Sequence, residues 1–166
     1  MVRLFACGVV LLGLVVGCGN NAGPQHAPAA DRTAIEGGLR QFSHDFNARD
    51  YPAMCALFAD DVVLNYPDGG PDRGRDAFCT RMRKLLSDPA KQYSYAEPDI
   101  REVLVDGDLA TVALTWTLTV KDAAGKVVEK IKEDGLDVFR RQPDGSWKIH
   151  ISHGFAICRG VNELPC

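Results

Sequence analysis

The side chains of this sequence with most chemistry to offer are its thiols. Cys55, Cys79, Cys158 and Cys166 are spread through the body of the chain, and none stands in a Cys-x-x-Cys pair of the kind that holds zinc. His44, Asp45, His150 and His153 have no metal-ligand spacing either, so no metal and no other cofactor is expected. An even set of cysteines in an oxidising compartment favours disulfides, with three pairings open. The favoured one joins Cys55 to Cys79, stapling two helices, and Cys158 to Cys166, pinning the C-terminal end. The first loop would contribute roughly 3 kcal/mol in the chain-entropy model. Asp137 is the carboxyl of most interest. Leu136, Val138 and Phe139 flank it, and burial among them would favour its neutral form. A neutral carboxyl can donate to a ligand carbonyl, or to Tyr66 if the two converge. Phosphate loops and a nucleophile elbow are absent from the sequence.

The N-terminus implies an oxidising compartment. Met1-Val2-Arg3 is a short positive region, and Leu4 to Val16 is nearly unbroken apolar sequence, too short to span a bilayer. Residues 1–17 read as a secretory signal. Leu14-Val15-Val16-Gly17-Cys18 resembles a bacterial lipobox, which would leave Cys18 to carry lipid and anchor the chain to a membrane, with the domain outside the cytoplasm. Residues 18–31, rich in Gly, Asn, Ala and Pro, read as a tether in which His26 is solvated. The expected domain is 32–158, followed by a tail at 159–166. The 166-residue chain carries a formal charge of −3, and loss of residues 1–17 would remove Arg3 and make it more negative. That acidity excludes a nucleic-acid footprint, which needs clustered Lys and Arg.

The elements that must position these groups follow from periodicity. Thr33-Ala34-Ile35-Glu36 has the form of a capping box. Ile35, Leu39, Phe42 and Phe46 then make one stripe of a helix ending near Ala48. Asp50 is placed to cap a short second helix with Pro52 in its first turn, and Leu57 and Phe58 seat that helix on a core. Asp60 and Asp61 mark a corner where they satisfy backbone groups. Val62, Leu64 and Tyr66 share one face of the strand beyond it. Residues 67–74 read as loop. A third helix spans Arg75 to Leu86, with Phe78, Met82 and Leu85 inward and Arg81, Arg83 and Lys84 outward. Strand signals run from Lys91 past Pro98 to Val105, then Leu109–Lys121, Lys126–Arg141 with a bulge at Gly135, and Trp147–Phe155. Thr111, Ala113, Thr115, Thr117 and Thr119 form a face that is wet or meets a second subunit in a homodimer. The expected class is α+β, a sheet curled around the helices and open at one end as a cone.

Asn47-Ala48-Arg49-Asp50, Leu57-Phe58-Ala59-Asp60-Asp61-Val62, Gly74-Arg75-Asp76-Ala77-Phe78 and Asp144-Gly145-Ser146-Trp147-Lys148-Ile149 with His153 carry a family resemblance. From Thr33 to Ile157 the chain resembles the NTF2-like superfamily, near its SnoaL-like and ketosteroid-isomerase-like branches. The resemblance implies a cone of three N-terminal helices packed in a curved antiparallel sheet. In the ketosteroid isomerases a carboxylate before the proline that follows the corner abstracts a proton; here Tyr66 holds that place, and a phenol is a poor base at neutral pH. The tyrosine donor of the first helix is replaced by Phe42. The second donor, a protonated Asp, has its counterpart in Asp137. Steroid isomerisation is therefore not expected. His153 matches a histidine common in SnoaL-like relatives. The resemblance implies a pocket lined by Phe42, Phe46, Leu57, Leu64, Tyr66, Leu114, Trp116, Leu118, Asp137 and His153. The functional expectation is an exported, lipid-anchored, non-catalytic domain that binds a small hydrophobic ligand or serves as an envelope accessory protein. Two alternatives stand beside it. One is an isomerase, cyclase or dehydratase acting on a carbonyl compound, with Asp137 as donor and His153 as base. The other is a dimeric interaction module using the threonine face.

Overall fold

The computed structural model describes residues 28–66 and 70–161. The expectations for the signal, Cys18, His26 and Cys166 lie outside the described residues. Helix α1 runs Pro28–Ala48 and buries Ile35, Leu39, Phe42 and Phe46 along the expected stripe. It begins earlier than the Thr33 signal. Thr33 is inside it, its hydroxyl donating back to the Ala29 carbonyl at 3.0 Å, so the capping-box reading and the tether boundary at Asp31 both give way. The reason is tertiary. Asp31 is buried, takes a two-pronged bond from Arg141 at 2.8 and 2.7 Å, and accepts from the Trp147 indole at 3.2 Å. The Arg141 guanidinium in turn lies 4.2 Å from the centre of the Trp147 ring. A partner more than a hundred residues away thus orders the first turn of the helix.

Asn47-Ala48-Arg49-Asp50 ends α1 and starts the next helix. Arg49 adopts a left-handed φ of 62°. Its guanidinium bonds the Phe46 and Tyr93 carbonyls at 2.7 and 2.8 Å. Asn47 exchanges two bonds with the Tyr95 backbone, at 2.8 and 2.9 Å. Asp50 caps α2, Tyr51–Ala56, by accepting from the Ala53 N–H. Strand β1, Phe58–Tyr66, starts before the expected corner. Asp60 and Asp61 therefore lie within a strand and pair with side chains, Arg75 at 2.7 Å for Asp60 and Arg140 at 2.7 Å and His150 at 3.3 Å for Asp61. Strand β2, Gly70–Arg73, occupies sequence expected to be loop and pairs antiparallel with β1. Helix α3, Arg75–Leu86, follows, and the Cys55–Cys79 disulfide ties α2 to it across a separation of 24 residues. Cys158 is also disulfide-bonded.

The remaining strands are β3, Lys91–Tyr95; β4, Asp99–Asp106; β5, Leu109–Asp122; β6, Val127–Arg141; and β7, Trp147–Gly160. The sheet order is β2-β1-β7-β6-β5-β3, with β4 also on β5. Strands β3 and β4 share one edge of β5, separated at Pro98, because β5 is long enough to pair with both in turn. The sheet is strongly curled and mixed rather than wholly antiparallel, since β1 lies parallel to β7. Along β5, Ala110, Val112, Leu114, Leu118 and Val120 are buried while the threonines take the other face, as the alternation requires. Gly135 is in unbroken register with Leu114 and Gly154. The irregularity of β6 falls instead at Val128, against β5, and the β6–β7 pairing is shifted by extra residues of β7 at His150 and Ile157. Strand β7 also runs past Phe155, so residues expected to open the C-terminal tail are still paired with β6.

Candidate functional site

Curling the sheet over α1 and α3 leaves a cavity of about 280 Å³. Its walls are mainly rings. Phe42 lies 5.5 Å from Trp116 and 5.7 Å from Phe58, centre to centre, and Tyr95 lies 4.7 Å from Phe46 and 5.3 Å from Trp116. Leu57, Leu118, Phe78, Met82, Leu85 and Ile149 complete the apolar lining. Ala156 and Arg159, both exposed, mark where the cavity meets solvent on β7. Eight of the residues expected to line a pocket do so: Phe42, Phe46, Leu57, Tyr66, Trp116, Leu118, Asp137 and His153. Leu64 and Leu114 do not. Both are fully buried in the filled part of the core, Leu114 against Gly135.

The polar groups enter by strand alternation. On β6, Glu133, Gly135 and Asp137 fall on the inward face, opposite Trp116, Leu114 and Val112 of β5. On β7, Ser152 is paired with Asp137 and buried with it. Its Oγ lies 2.9 Å from the Tyr66 hydroxyl, and its strand pairing sets it beside the Asp137 carboxyl, whose charged form it favours. Tyr66, Ser152 and Asp137 thus form one buried polar cluster, in which either hydroxyl of the Tyr66–Ser152 pair can donate to the other. Burial pushes Asp137 up to about 7, against the pull of Ser152. Tyr66 is raised well above its ordinary value, by burial first and then by the negative charge of Asp137, so it stays a neutral phenol. Glu133 is raised by burial, opposed by its bond from the Tyr95 hydroxyl at 3.3 Å. The site therefore holds carboxyls that keep their protons further toward neutral pH than solvated ones do.

His153 borders the cavity, but its strand partners are Leu136 and Asn65, both exposed, whereas its neighbour Ser152 occupies the inward position. By alternation the polar side chain aimed inside at this level is the serine, and His153 is poorly placed to act as a base. Arg81, expected to face outward, lines the cavity instead, its guanidinium 5.8 Å from the Tyr66 ring centre and 5.7 Å from that of Phe78. Its Nε donates to Asp72 of β2 at 2.5 Å. Tyr95, Glu133, Ser152 and Arg81 were not among the expected site residues. The parity of Glu133 with Asp137 was a usable signal. Ser152 required the β6–β7 register, which a bulge shifts. Among the described residues, no group of three or more His, Cys, Asp or Glu is arranged to hold a metal ion.

Residues 39–150 match the model of the SnoaL-like domain family. Among solved structures, a ketosteroid isomerase-like protein from Erwinia carotovora atroseptica is 25% identical over 76% of this chain and 95% of its own, with a TM-score of 0.65. A conserved protein from Planctomyces limnophilus is 19% identical over 78% of this chain and 98% of its own, at a TM-score of 0.69. An NTF2-like protein with a cystatin-like fold from Novosphingobium aromaticivorans is 18% identical over 78% and 84%, at 0.64. No curated protein matches.

Proposed function

The chain belongs to the SnoaL-like domain family of the NTF2-like superfamily, and from that premise we propose that its cavity binds a small, largely apolar molecule bearing a carbonyl group. The family's fold serves both for binding hydrophobic ligands and for isomerase or dehydratase chemistry. The observation that carries the reading is the composition of the interior: aromatic walls around the polar cluster of Tyr66, Ser152 and Asp137. A mostly apolar pocket with a few convergent polar groups is what small-ligand sites need. Protonated Asp137 supplies the donor a carbonyl oxygen requires. Fluorescence titration with 2-acetylnaphthalene tests this, because Trp116 is in the wall. Saturable quenching in the unmodified chain, abolished in Ala156→Trp, is expected. Quenching unchanged by that block at the cavity mouth would refute it.

A second reading is favoured by the place of Asp137, buried in the cavity wall, where burial pushes its carboxyl up to about 7. A carboxyl poised there can accept a proton from carbon beside a bound carbonyl and return it. The test is exchange of the methyl protons of 2-acetylnaphthalene with deuterated water. A rate above buffer that is lost in Asp137→Asn supports proton transfer, and a rate equal to buffer leaves binding alone.

We further propose that Cys18 carries lipid and holds the domain at a membrane outside the cytoplasm, a placement that the Cys55–Cys79 disulfide supports. Fatty-acid labelling that disappears in Cys18→Ala is the check.

A further inference from the structure

Arg81 is held in an unusual way for a cation on a helix. Its Nε is committed to Asp72, and its guanidinium is set against the rings of Tyr66 and Phe78. Its Nη2 is buried and has no hydrogen-bond partner, the one such side-chain atom among the described residues. Leaving a charged donor out of water without an acceptor costs more than a typical hydrogen bond contributes. The two carboxyls of the cavity do not supply that acceptor. Glu133 accepts from Tyr95, and neither it nor Asp137 is within hydrogen-bond reach of Nη2. Arg81 lines the chamber, so a molecule that fills it is placed to supply the missing acceptor.

We propose that the ligand of this cavity ends in a carboxylate, which accepts from the Nη2 edge of Arg81 while its apolar body lies among Phe42, Phe78 and Trp116. This rests on the reading of the cavity as a binding site and narrows it to small apolar acids. Arg81 needs little reorientation to serve, since Asp72 fixes one edge of the planar fork and leaves the other for the ligand. The rings of Tyr66 and Phe78 lie beside the guanidinium, and Nη2 itself is buried, where a charge-assisted bond is stronger than in water.

The experiment is calorimetric titration of the full chain with 2-naphthoate and with 2-acetylnaphthalene, which share a skeleton and differ in the acidic end. The acid is expected to bind at least about tenfold tighter than the ketone, as one hydrogen bond to a charged group implies. That preference should fall to parity in Arg81→Met and be partly kept in Arg81→Lys. Equal binding of the two compounds by the unmodified chain overturns the acidic-end assignment and leaves the cavity reading standing. An acid preference that survives in folded Arg81→Met overturns it as well. Binding of neither compound removes both readings. If Arg81→Met does not fold, the ratio in the unmodified chain and in Arg81→Lys decides.

Discussion

The Tyr66 ring lies directly over the backbone of Gly154: a Cβ placed on that glycine would stand 2.7 Å from both Cδ1 and Cε1 of the tyrosine. Only a residue without a side chain lets the ring reach the position from which its hydroxyl meets Ser152. The glycine of β7 is thus as much a part of the site as the phenol on β1.

Gly154→Ala should push the ring aside and break the Tyr66–Ser152 bond. Overpacking of this kind costs about 1–3 kcal/mol. Urea unfolding measures the loss, and it should shrink when Tyr66 is also replaced by Ala, since the clash then has no second partner. A cost independent of Tyr66 would contradict the contact.

Asp137 should make stability fall as pH rises toward neutral. The folded chain holds its proton up to about 7, while the unfolded chain releases it near 3.8. Below both values the contribution is complete. Between them the unfolded state has fewer bound protons than the folded one, so stability declines with pH until the folded-state value is passed. The full span is on the order of 4 kcal/mol. Glu133, also raised, acts with the same sign. Urea midpoints at pH 4.5 and 8 should therefore differ less in Asp137→Asn than in the unmodified chain.

Asp31→Ala should cost about 3 kcal/mol, because it leaves the buried Arg141 guanidinium facing an empty place. Arg141 keeps its bond to Asp108 at 3.1 Å, which limits the damage. Replacing both members, as Asp31→Leu with Arg141→Met, should recover most of the loss in thermal melts. A single and a double variant with equal losses would show that the pair does not act as a unit.

The helices and long strands were readable from period alone, and Asp50 from its capping position. What escaped depended on contacts that no local pattern encodes. Gly70 and Pro71 signal loop, yet the segment is drawn into a strand by pairing with β1. Missing that strand hid Asp72, and without Asp72 nothing in the sequence of α3 turns Arg81 from the solvent side to the cavity. Asp31 looked like linker for the same reason, since its partners are on the last hairpin. Phe42 and Tyr66 were found from helix and strand period and Asp137 from its apolar flanks, and the family resemblance assigned them to one pocket. Ser152 was not, because its facing depends on the irregularity that shifts β7 against β6.

The parallel seam between β1 and β7 brings Leu64 beside Ser152 and Asn65 beside His153, residues from opposite ends of the domain. A chain leaving a ribosome in order has the residues of the aromatic wall long before it has this seam. The chamber can come into being only after the final strand has emerged and docked, a closure of high sequence separation and hence a slow one. Until then its greasy lining is open to any passing chaperone, and a nascent chain stopped short of Trp147 has no pocket at all.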